Sequence, residues 1–307
     1  MTTAARPPEV RLRDVTLRDG LQTESVVTTA DKLAVFDALV RAGVRDLELC
    51  SFVRADRVPA MADAPELAAA TAGADVERWA LVLNERGAQL ARAAGMDHLQ
   101  FVVSVSDRHS RENAGRSTDD ALVALDCIAA TLDDGVALEV TLATAFGCPY
   151  AGPTPVADVL RVAERCLAAG ASGLSLADTI GTATPREVAR LVADTKRLAL
   201  EAPVGAHLHD TRGLGIANAL SALEAGADRL DGTVGGLGGC PFAPGASGNL
   251  ALEDLVHVLE ESGVHTGIDL EALIEVAELA CRIVGRPVDS HLAKAGRRFR
   301  PPAEGPS

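Results

Sequence analysis

The sequence predicts a (β/α)8 barrel, the TIM-barrel fold, with an additional C-terminal helix. Its 307 residues match the size that α/β barrels reach as one domain. Short β-rich runs alternate with helical patterns eight times along the chain, and regular alternation indicates a parallel sheet. Several helical patterns end in glycine, which can adopt positive φ and satisfy the free carbonyls of the last turn. These glycines are Gly43, Gly95, Gly170 and Gly226.

The eight units follow one another without a break in the pattern. The predicted strand and helix pairs are 11–17 with 31–43, 46–52 with 65–72, 78–83 with 85–95, 98–106 with 118–135, 137–146 with 155–170, 173–178 with 185–200, 204–210 with 215–226, and 229–234 with 252–263. A further helix near 269–285 is expected to pack outside the barrel or against a partner subunit. An open doubly wound sheet is the alternative, but no GxGxxG follows the first strand.

The same pattern divides the chain into three segments. Residues 10–290 are predicted to form the catalytic domain, including the C-terminal helix. Residues 1–9 and the proline-rich tail 291–307 are expected to be flexible.

The composition disfavours several classes of partner. The net charge of −14 and the pI of about 4.9 argue against nucleic acid and anionic membranes. Aromatic residues are only 3% of the chain, so the core is expected to consist of Ala, Val and Leu. The six cysteines are scattered, and the sequence has no signal peptide and no apolar run of roughly 18 residues. We therefore expect a reduced, cytoplasmic protein.

Two histidines at the end of the seventh strand indicate a metal site. His207 and His209 are two residues apart, so in a strand both imidazoles point to the same face. Asp19, which follows the first strand, adds a carboxylate, and Asn249 could add an amide oxygen. These donors suit Mg²⁺, Mn²⁺ or Co²⁺, with Zn²⁺ as a further option. The alternative is a pair of hydrogen-bonded structural histidines.

Other polar residues lie where a barrel places its catalytic groups, at the carboxyl ends of the strands. Arg18 could stabilise an enolate or carboxylate oxygen. Glu48 and Asp178 are candidates for proton transfer, and the alternative for both is core salt bridging or helix capping. Cys240 lies in the glycine-rich loop 235–249, where a mobile backbone beside a metal favours a reactive thiol. Otherwise it is an inert small residue.

Longer motifs extend from the first strand to the last helix. They are RDGLQTE (18–24), SFVRADRVPAMAD (51–63), GCPYAG (147–152), LADTIGTATP (176–185), HLHDTRGLGIANAL (207–220), GLGGCPFAPGASGNLALEDLV (237–256) and GVHTGIDL (263–270). Together they resemble the 3-hydroxy-3-methylglutaryl-CoA lyase family, metal-dependent TIM-barrel carbon–carbon lyases. The cysteine-loop motif is the most specific, whereas RDG-x-Q and H-x-HD also occur in the related Claisen synthases.

The resemblance implies a reaction and a role for each residue. A divalent metal would bind the hydroxyl and carboxylate of 3-hydroxy-3-methylglutaryl-CoA, and a retro-Claisen step would release acetoacetate and acetyl-CoA. The implied metal ligands are Asp19, His207, His209 and Asn249. Arg18 would stabilise the enolate, and Cys240 would protonate it. The implied proton-transfer residues are His207, Asp178 and Glu48, with Glu253 as a supporting acid.

The sequence gives less information about the CoA-binding residues and the identity of the acyl group. The residues predicted to contact the ligand are Gln22, Arg108 and Asn113. Arg108 belongs to a basic cluster with His109, Arg111 and Arg116 that could meet the CoA phosphates, and the alternative is a solvated charged loop. Ser25 replaces a frequent family lysine, and HDTRGL replaces HDTYGQ. These departures leave open a substrate with a longer or altered branch at C3.

Two other functions are weighed against the lyase. An acyl-CoA synthase of the Claisen type usually carries a long C-terminal regulatory region, which this chain lacks. A non-catalytic protein on the same scaffold is disfavoured because every expected ligand is present. The family resemblance also implies a homodimer.

Overall fold

Eight parallel strands close into a barrel in the computed structural model, which describes residues 10–239 and 248–296. Each strand neighbours the next along the chain, and the first pairs with the eighth through Leu12 and Leu230 to close the ring. The strands are β1 (Arg11–Asp14), β2 (Asp46–Phe52), β3 (Glu77–Val82), β4 (His98–Ser104), β5 (Ala137–Ala143), β6 (Gly173–Asp178), β7 (Val204–Leu208) and β8 (Arg229–Gly232). The predicted fold class is confirmed.

Helices surround the barrel on the outside. They are α1 (Thr29–Arg41), α2 (Ala64–Ala70), α3 (Glu85–Ala93), α4 (Asp107–Ala114), α5 (Thr118–Ala130), α6 (Val156–Ala168), α7 (Pro185–Ala199), α8 (Gly215–Glu224), α9 (Leu252–Glu261), α10 (Leu270–Val284) and α11 (His291–Ala295). The predicted additional helix is α10, and it packs against α1. None of the helices in the described ranges is long and apolar enough to cross a membrane.

The structure differs from the predicted elements at a few places. Strand β1 ends at Asp14 because Thr16–Gly20 forms a π-helical turn. Strand β5 ends at Ala143 because Thr144 has a φ of 57°. The sequence analysis did not anticipate α4, which lies between β4 and α5. The short helix α11 occupies the beginning of the segment that was expected to be a flexible tail.

The core consists of small aliphatic side chains, as the composition predicts. All seven residues of β2 are buried, as expected for a parallel strand that is covered on both faces. Leucine, valine and alanine from the strands and helices form one continuous cluster.

Gly43 is required by a close contact between α1 and the segment before α10. Its φ is +99°, and an added Cβ would lie 2.5 Å from the carbonyl oxygen of Gly267. Gly95 has a φ of +79° with nothing within 4 Å of such a Cβ. We expect Gly95→Ala to cost about 1–2 kcal/mol of unfolding free energy and Gly43→Ala about 1–3 kcal/mol more. Urea unfolding of both variants measures the difference, and equal losses would contradict the steric explanation.

Candidate active site

Three buried side chains meet at the mouth of the barrel. Asp19 comes from the turn after β1, His207 from β7, and His209 from just beyond it. One donor atom from each lies within 4.8 Å of the others. The two imidazole Nε2 atoms are 3.3 Å apart, and they lie 3.8 and 3.9 Å from Asp19 Oδ2. The structure thus brings these three predicted metal ligands together, and we call them the Asp-His-His triad.

Local hydrogen bonds determine how the π-helical turn presents Asp19. The Asp14 carboxylate accepts hydrogen bonds from the Thr16 backbone N–H at 3.0 Å and its hydroxyl at 2.7 Å. The Thr16 hydroxyl accepts one from Val234 N–H at 2.9 Å. Because Asp14 ends β1 and Val234 follows β8, these bonds attach the turn to the two strands that close the barrel.

The buried Asp14 carboxyl makes stability depend on pH. Burial raises its pKa to about 7, and its hydrogen bonds from Thr16 offset only part of this effect. The pKa of Asp14 is higher in the folded protein than in the unfolded chain. The stability that protonated Asp14 contributes is therefore fully present below about pH 4 and is lost as the pH rises to about 7. From pH 5 to pH 8, we expect the free energy of unfolding of Asp14→Asn to rise by about 2–3 kcal/mol relative to that of the parent. Urea unfolding at both pH values tests this, and a pH-independent difference would refute it.

The protonation states of Asp19 and His209 suit a divalent cation. Burial and the neighbouring His207 lower the pKa of His209 to about 4, so its imidazole is neutral at pH 7. Burial alone would raise the pKa of Asp19, but Arg18 and the two histidines lower it to about 2. Metal ligands must be neutral imidazoles and ionised carboxylates. The donor set therefore fits a divalent metal.

Asn249 contacts the triad through its amide nitrogen. Its Nδ2 donates to Asp19 Oδ2 at 2.7 Å and to the Leu237 carbonyl at 3.2 Å. A backbone bridge between His209 and Asn249 keeps the two residues adjacent. The predicted fourth ligand thus lies beside the triad. Ligation through Oδ1 would require the side-chain amide to rotate by about 180°, so that Oδ1 replaces Nδ2.

Arg18 lies between Asp19 and Glu48. Its Nη1 donates to Asp19 Oδ1 at 2.5 Å, and its Nη2 pairs with Glu48 Oε2 at 2.6 Å. Burial raises the pKa of Glu48, although the Arg18 charge opposes this. Gln22 Nε2 also donates to Asp19 Oδ1, at 2.7 Å. The predicted residues Arg18, Glu48 and Gln22 therefore form one connected group with the triad.

Asp178 does not join this group. Its two carboxylate oxygens accept hydrogen bonds from the backbone N–H groups of Thr182 and Ala183, each at 2.9 Å. The neighbouring residues Ala177 and Thr179 line the active-site cavity, whereas Asp178 is absent from its walls. This placement favours a structural role in the loop before α7 over proton transfer, although the cap of α7 itself is Thr184 with Glu187. The predicted acid Cys240 lies outside the described residues.

A cavity of about 850 Å³ lies at the mouth of the barrel, and all three triad residues line it. Ser51, Gln100 and Thr141 line its inner part. Its lining also includes the basic residues Arg54, Arg57, Arg111 and Arg116, together with Asn113 and the buried His109. Gln22 also lines it, so two of the three predicted ligand-contacting residues do so. The third, Arg108, donates to the Tyr150 carbonyl at 3.2 Å and lies outside the lining.

Comparison with known proteins decides the family. A model of the HMGL-like family matches residues 9–280. The chain belongs to the HMGL-like family.

Relatives of this HMGL-like chain are similar over nearly its whole length. It is 40% identical over 300 residues to the (R)-citramalyl-CoA lyase of Chloroflexus aurantiacus, covering 94% of this chain and 95% of the relative. It is 38% identical over 293 residues to the hydroxymethylglutaryl-CoA lyase YngG of Bacillus subtilis, covering 92% and 96%. These relatives are named as carbon–carbon lyases, and the chain is an enzyme of that class.

A solved structure agrees with this assignment. An HMG-CoA lyase from Acinetobacter baumannii, in complex with coenzyme A and 3-methylmalate, aligns with a TM-score of 0.92 and 38% identity. The alignment covers 98% of this chain and 99% of the other. The barrel and the position of its mouth are therefore shared with an HMG-CoA lyase.

The sequence analysis missed Asp231, the residue that contacts His207 from below. Its Oδ2 lies 3.3 Å from His207 Nδ1. A signal was present in the sequence, because Asp231 follows Arg229 by two positions, and Arg13 follows Arg11 in the same way. Charged residues at alternate positions of barrel strands share one face. Such pairs predict an ionic cluster in the barrel interior, and the structure contains one.

Proposed function

We propose that this HMGL-like lyase uses a divalent cation to cleave 3-hydroxy-3-methylglutaryl-CoA, or a close 3-hydroxyacyl-CoA homologue, by a retro-Claisen reaction. The observation that carries the proposal is the buried Asp-His-His triad, joined to Arg18 at the inner end of a large cavity. The similarity to lyases of this substrate class supports it.

The triad would hold the metal, with Asn249 beside it. When bound, the cation acts as a Lewis acid toward the substrate's hydroxyl and carboxylate oxygens. Oxygen-rich donor sets with imidazole suit Mg²⁺ or Mn²⁺, and Co²⁺ or Zn²⁺ are the alternatives. The low pKa of Asp19 and the neutral His209 keep these two donors ready at neutral pH. Burial alone would lower the pKa of His207, but the hydrogen bond to Asp231 and the Asp19 charge raise it.

The chain's own residues would handle the charge and the protons. When the C2–C3 bond breaks, its electron pair moves to the thioester carbonyl and forms an enolate, while the C3 hydroxyl loses its proton and becomes a ketone. Arg18, a buried cation beside the triad, would donate hydrogen bonds to the enolate oxygen. Glu48 and His207 are the remaining candidates for the proton acceptor, with Asp178 assigned to positioning its loop. Cys240 is proposed to return a proton to the enolate carbon.

One comparison favours a second substrate. The 40% identical relative is named (R)-citramalyl-CoA lyase, and citramalyl-CoA lacks one methylene between the carbinol carbon and the distal carboxylate. Both substrates release acetyl-CoA. The second product distinguishes them, because 3-hydroxy-3-methylglutaryl-CoA yields acetoacetate and citramalyl-CoA yields pyruvate.

The test is a product assay with both substrates. Protein stripped with chelator is assayed with and without Mn²⁺ or Mg²⁺, and acetoacetate and pyruvate are quantified separately. We expect metal-dependent acetoacetate release. Pyruvate alone would assign the second substrate, and no cleavage of either by metal-loaded protein would reject the lyase proposal. Condensation of acetyl-CoA with a keto acid, measured in the same samples, tests the synthase alternative.

Assembly and location complete the proposal. We propose a cytoplasmic homodimer, on the family resemblance. Light scattering coupled to size-exclusion chromatography tests the dimer, and a mass of one chain, 31.7 kDa, would reject it.

A further inference from the structure

A cluster of buried charged residues lies inside the barrel below the triad. We call it the barrel-floor cluster, and its members come from strands β1, β2, β5 and β8. The exposed fraction of each side chain is 5% or less. The members are Arg13, Asp46, Glu139, Arg229 and Asp231.

Ion pairs link the barrel-floor cluster from one side of the barrel to the other. Arg229 Nε donates to Asp231 Oδ1 at 2.8 Å, and its terminal nitrogens pair with both oxygens of Glu139. Arg13 Nη1 donates to Glu139 Oε1 at 2.9 Å, and its Nε donates to Asp46 Oδ1 at 2.6 Å. Arg13, Arg229 and Glu139 each contact two members of the cluster, and the position of Asp231 is determined by Arg229.

Asp231 is the member of the cluster that reaches the triad. With Oδ1 held by Arg229, its Oδ2 lies 3.3 Å from His207 Nδ1. A carboxylate paired with arginine only accepts hydrogen bonds, so the imidazole must carry its proton at Nδ1. In the neutral imidazole that a metal ligand must be, Nε2 then carries the lone pair, and this atom is directed toward the triad.

The two histidines differ in this respect. Nδ1 of His209 is buried and has no hydrogen-bond partner among the residues that the structure describes. The orientation and tautomer of His207 are thus determined by a carboxylate, whereas those of His209 are not. A carboxylate behind a ligating histidine fixes its tautomer and ring orientation, and its loss typically lowers metal affinity about 10–100-fold.

We propose that Asp231 is the positioning residue of His207, and that Arg229 holds Asp231 in the required place. This inference rests on the proposed metal site. It assigns a role in metal binding to one end of the barrel-floor cluster. The opposite end, at Asp46, contributes to stability alone.

The experiment compares two matched substitutions, Asp231→Asn and Asp46→Asn. Both replace a buried carboxylate of the same cluster by an amide, but only Asp231 contacts His207. Isothermal titration with Mn²⁺ measures the affinity of each purified protein. We expect Asp231→Asn to weaken Mn²⁺ binding about 10–100-fold and Asp46→Asn to leave it within about threefold. Thermal unfolding in chelator should show that both variants lose stability.

A second measurement needs no variant of the cluster. Long-range ¹H–¹⁵N spectra of the metal-free parent at pH 8, assigned with His207→Gln, report the His207 tautomer. A proton on Nδ1 supports the inference, and a proton on Nε2 overturns it, even if Asp231→Asn fails to fold.

The outcomes separate the two proposals. If the parent binds Mn²⁺ and Asp231→Asn binds it equally well, the inference fails and the proposed function stands. If the parent binds none of Mn²⁺, Mg²⁺, Co²⁺ and Zn²⁺, the metal-dependent function and this inference both fall.

Discussion

Replacing Asp19 by asparagine is expected to lower kcat/KM for acyl-CoA cleavage at least about 1000-fold. Asp19 is the one carboxylate of the Asp-His-His triad, and its low pKa keeps it charged. Losing that charge removes the strongest attraction for a divalent cation. A metal supplies several kcal/mol of stabilisation to a developing oxyanion, and each 1.36 kcal/mol corresponds to a tenfold change in rate.

The measurement is kcat/KM with excess Mn²⁺, together with the Mn²⁺ affinity. Asp97→Asn is a matched control, because Asp97 is 66% exposed and directly precedes β4, at the opposite end of the barrel. It should keep the rate and affinity of the parent. If Asp19→Asn retained a rate within about tenfold of the parent, the triad would not be the metal site.

Replacing Arg18 by glutamine is expected to lower kcat about 100- to 1000-fold, the usual cost of losing a donor to a developing oxyanion. The Mn²⁺ affinity should change much less, because Arg18 contacts the Asp19 ligand but is not itself a donor to the cation. The substitution also leaves the buried Glu48 without its ion-pair partner. Breaking a buried pair in this way typically costs about 3–5 kcal/mol of stability.

A double substitution separates these two effects of Arg18. In Arg18→Gln with Glu48→Gln, the unpaired buried charge is removed, so the unfolding free energy should recover. The rate of cleavage should stay low, because the cationic donor is still missing and Glu48, a candidate proton acceptor, is replaced as well. Single-turnover kinetics and urea unfolding on the same preparations measure both quantities. Recovery of the rate together with stability would mean that Arg18 acts only by neutralising Glu48.

Much of the fold follows from local patterns. Alternation of β-rich and helical runs with glycine at the helix ends predicts the barrel, because each unit is recognisable within about 30 residues. The boundaries fail where the backbone leaves regular geometry, as in the π-helical turn that follows Asp14. That turn is tied to the segment after β8 by a hydrogen bond from the Val234 N–H to the Thr16 hydroxyl, more than 200 positions away. No local pattern contains that information.

In the candidate site, too, strand periodicity predicts some side-chain positions and fails to predict others. His207 and His209 could be placed on one face because strand periodicity alone sets their direction, and Asp19 could be added because strand ends converge at one mouth. The direction of a loop side chain has no such rule. Asp178 ends a strand at the mouth, yet its carboxylate binds the backbone of Thr182 and Ala183.

The lining of the cavity rim and the choice of partners within the barrel-floor cluster depend on tertiary contacts. Arg108 packs on Tyr150, while Arg54 and Arg57, which the sequence did not single out, line the cavity. Asp231 meets His207 through the pairing of β7 and β8, and Arg229 meets Glu139 across 90 residues. Periodicity determines which face of a strand a side chain occupies. Which partner it meets there depends on the closure of the barrel, which brings distant strands into contact.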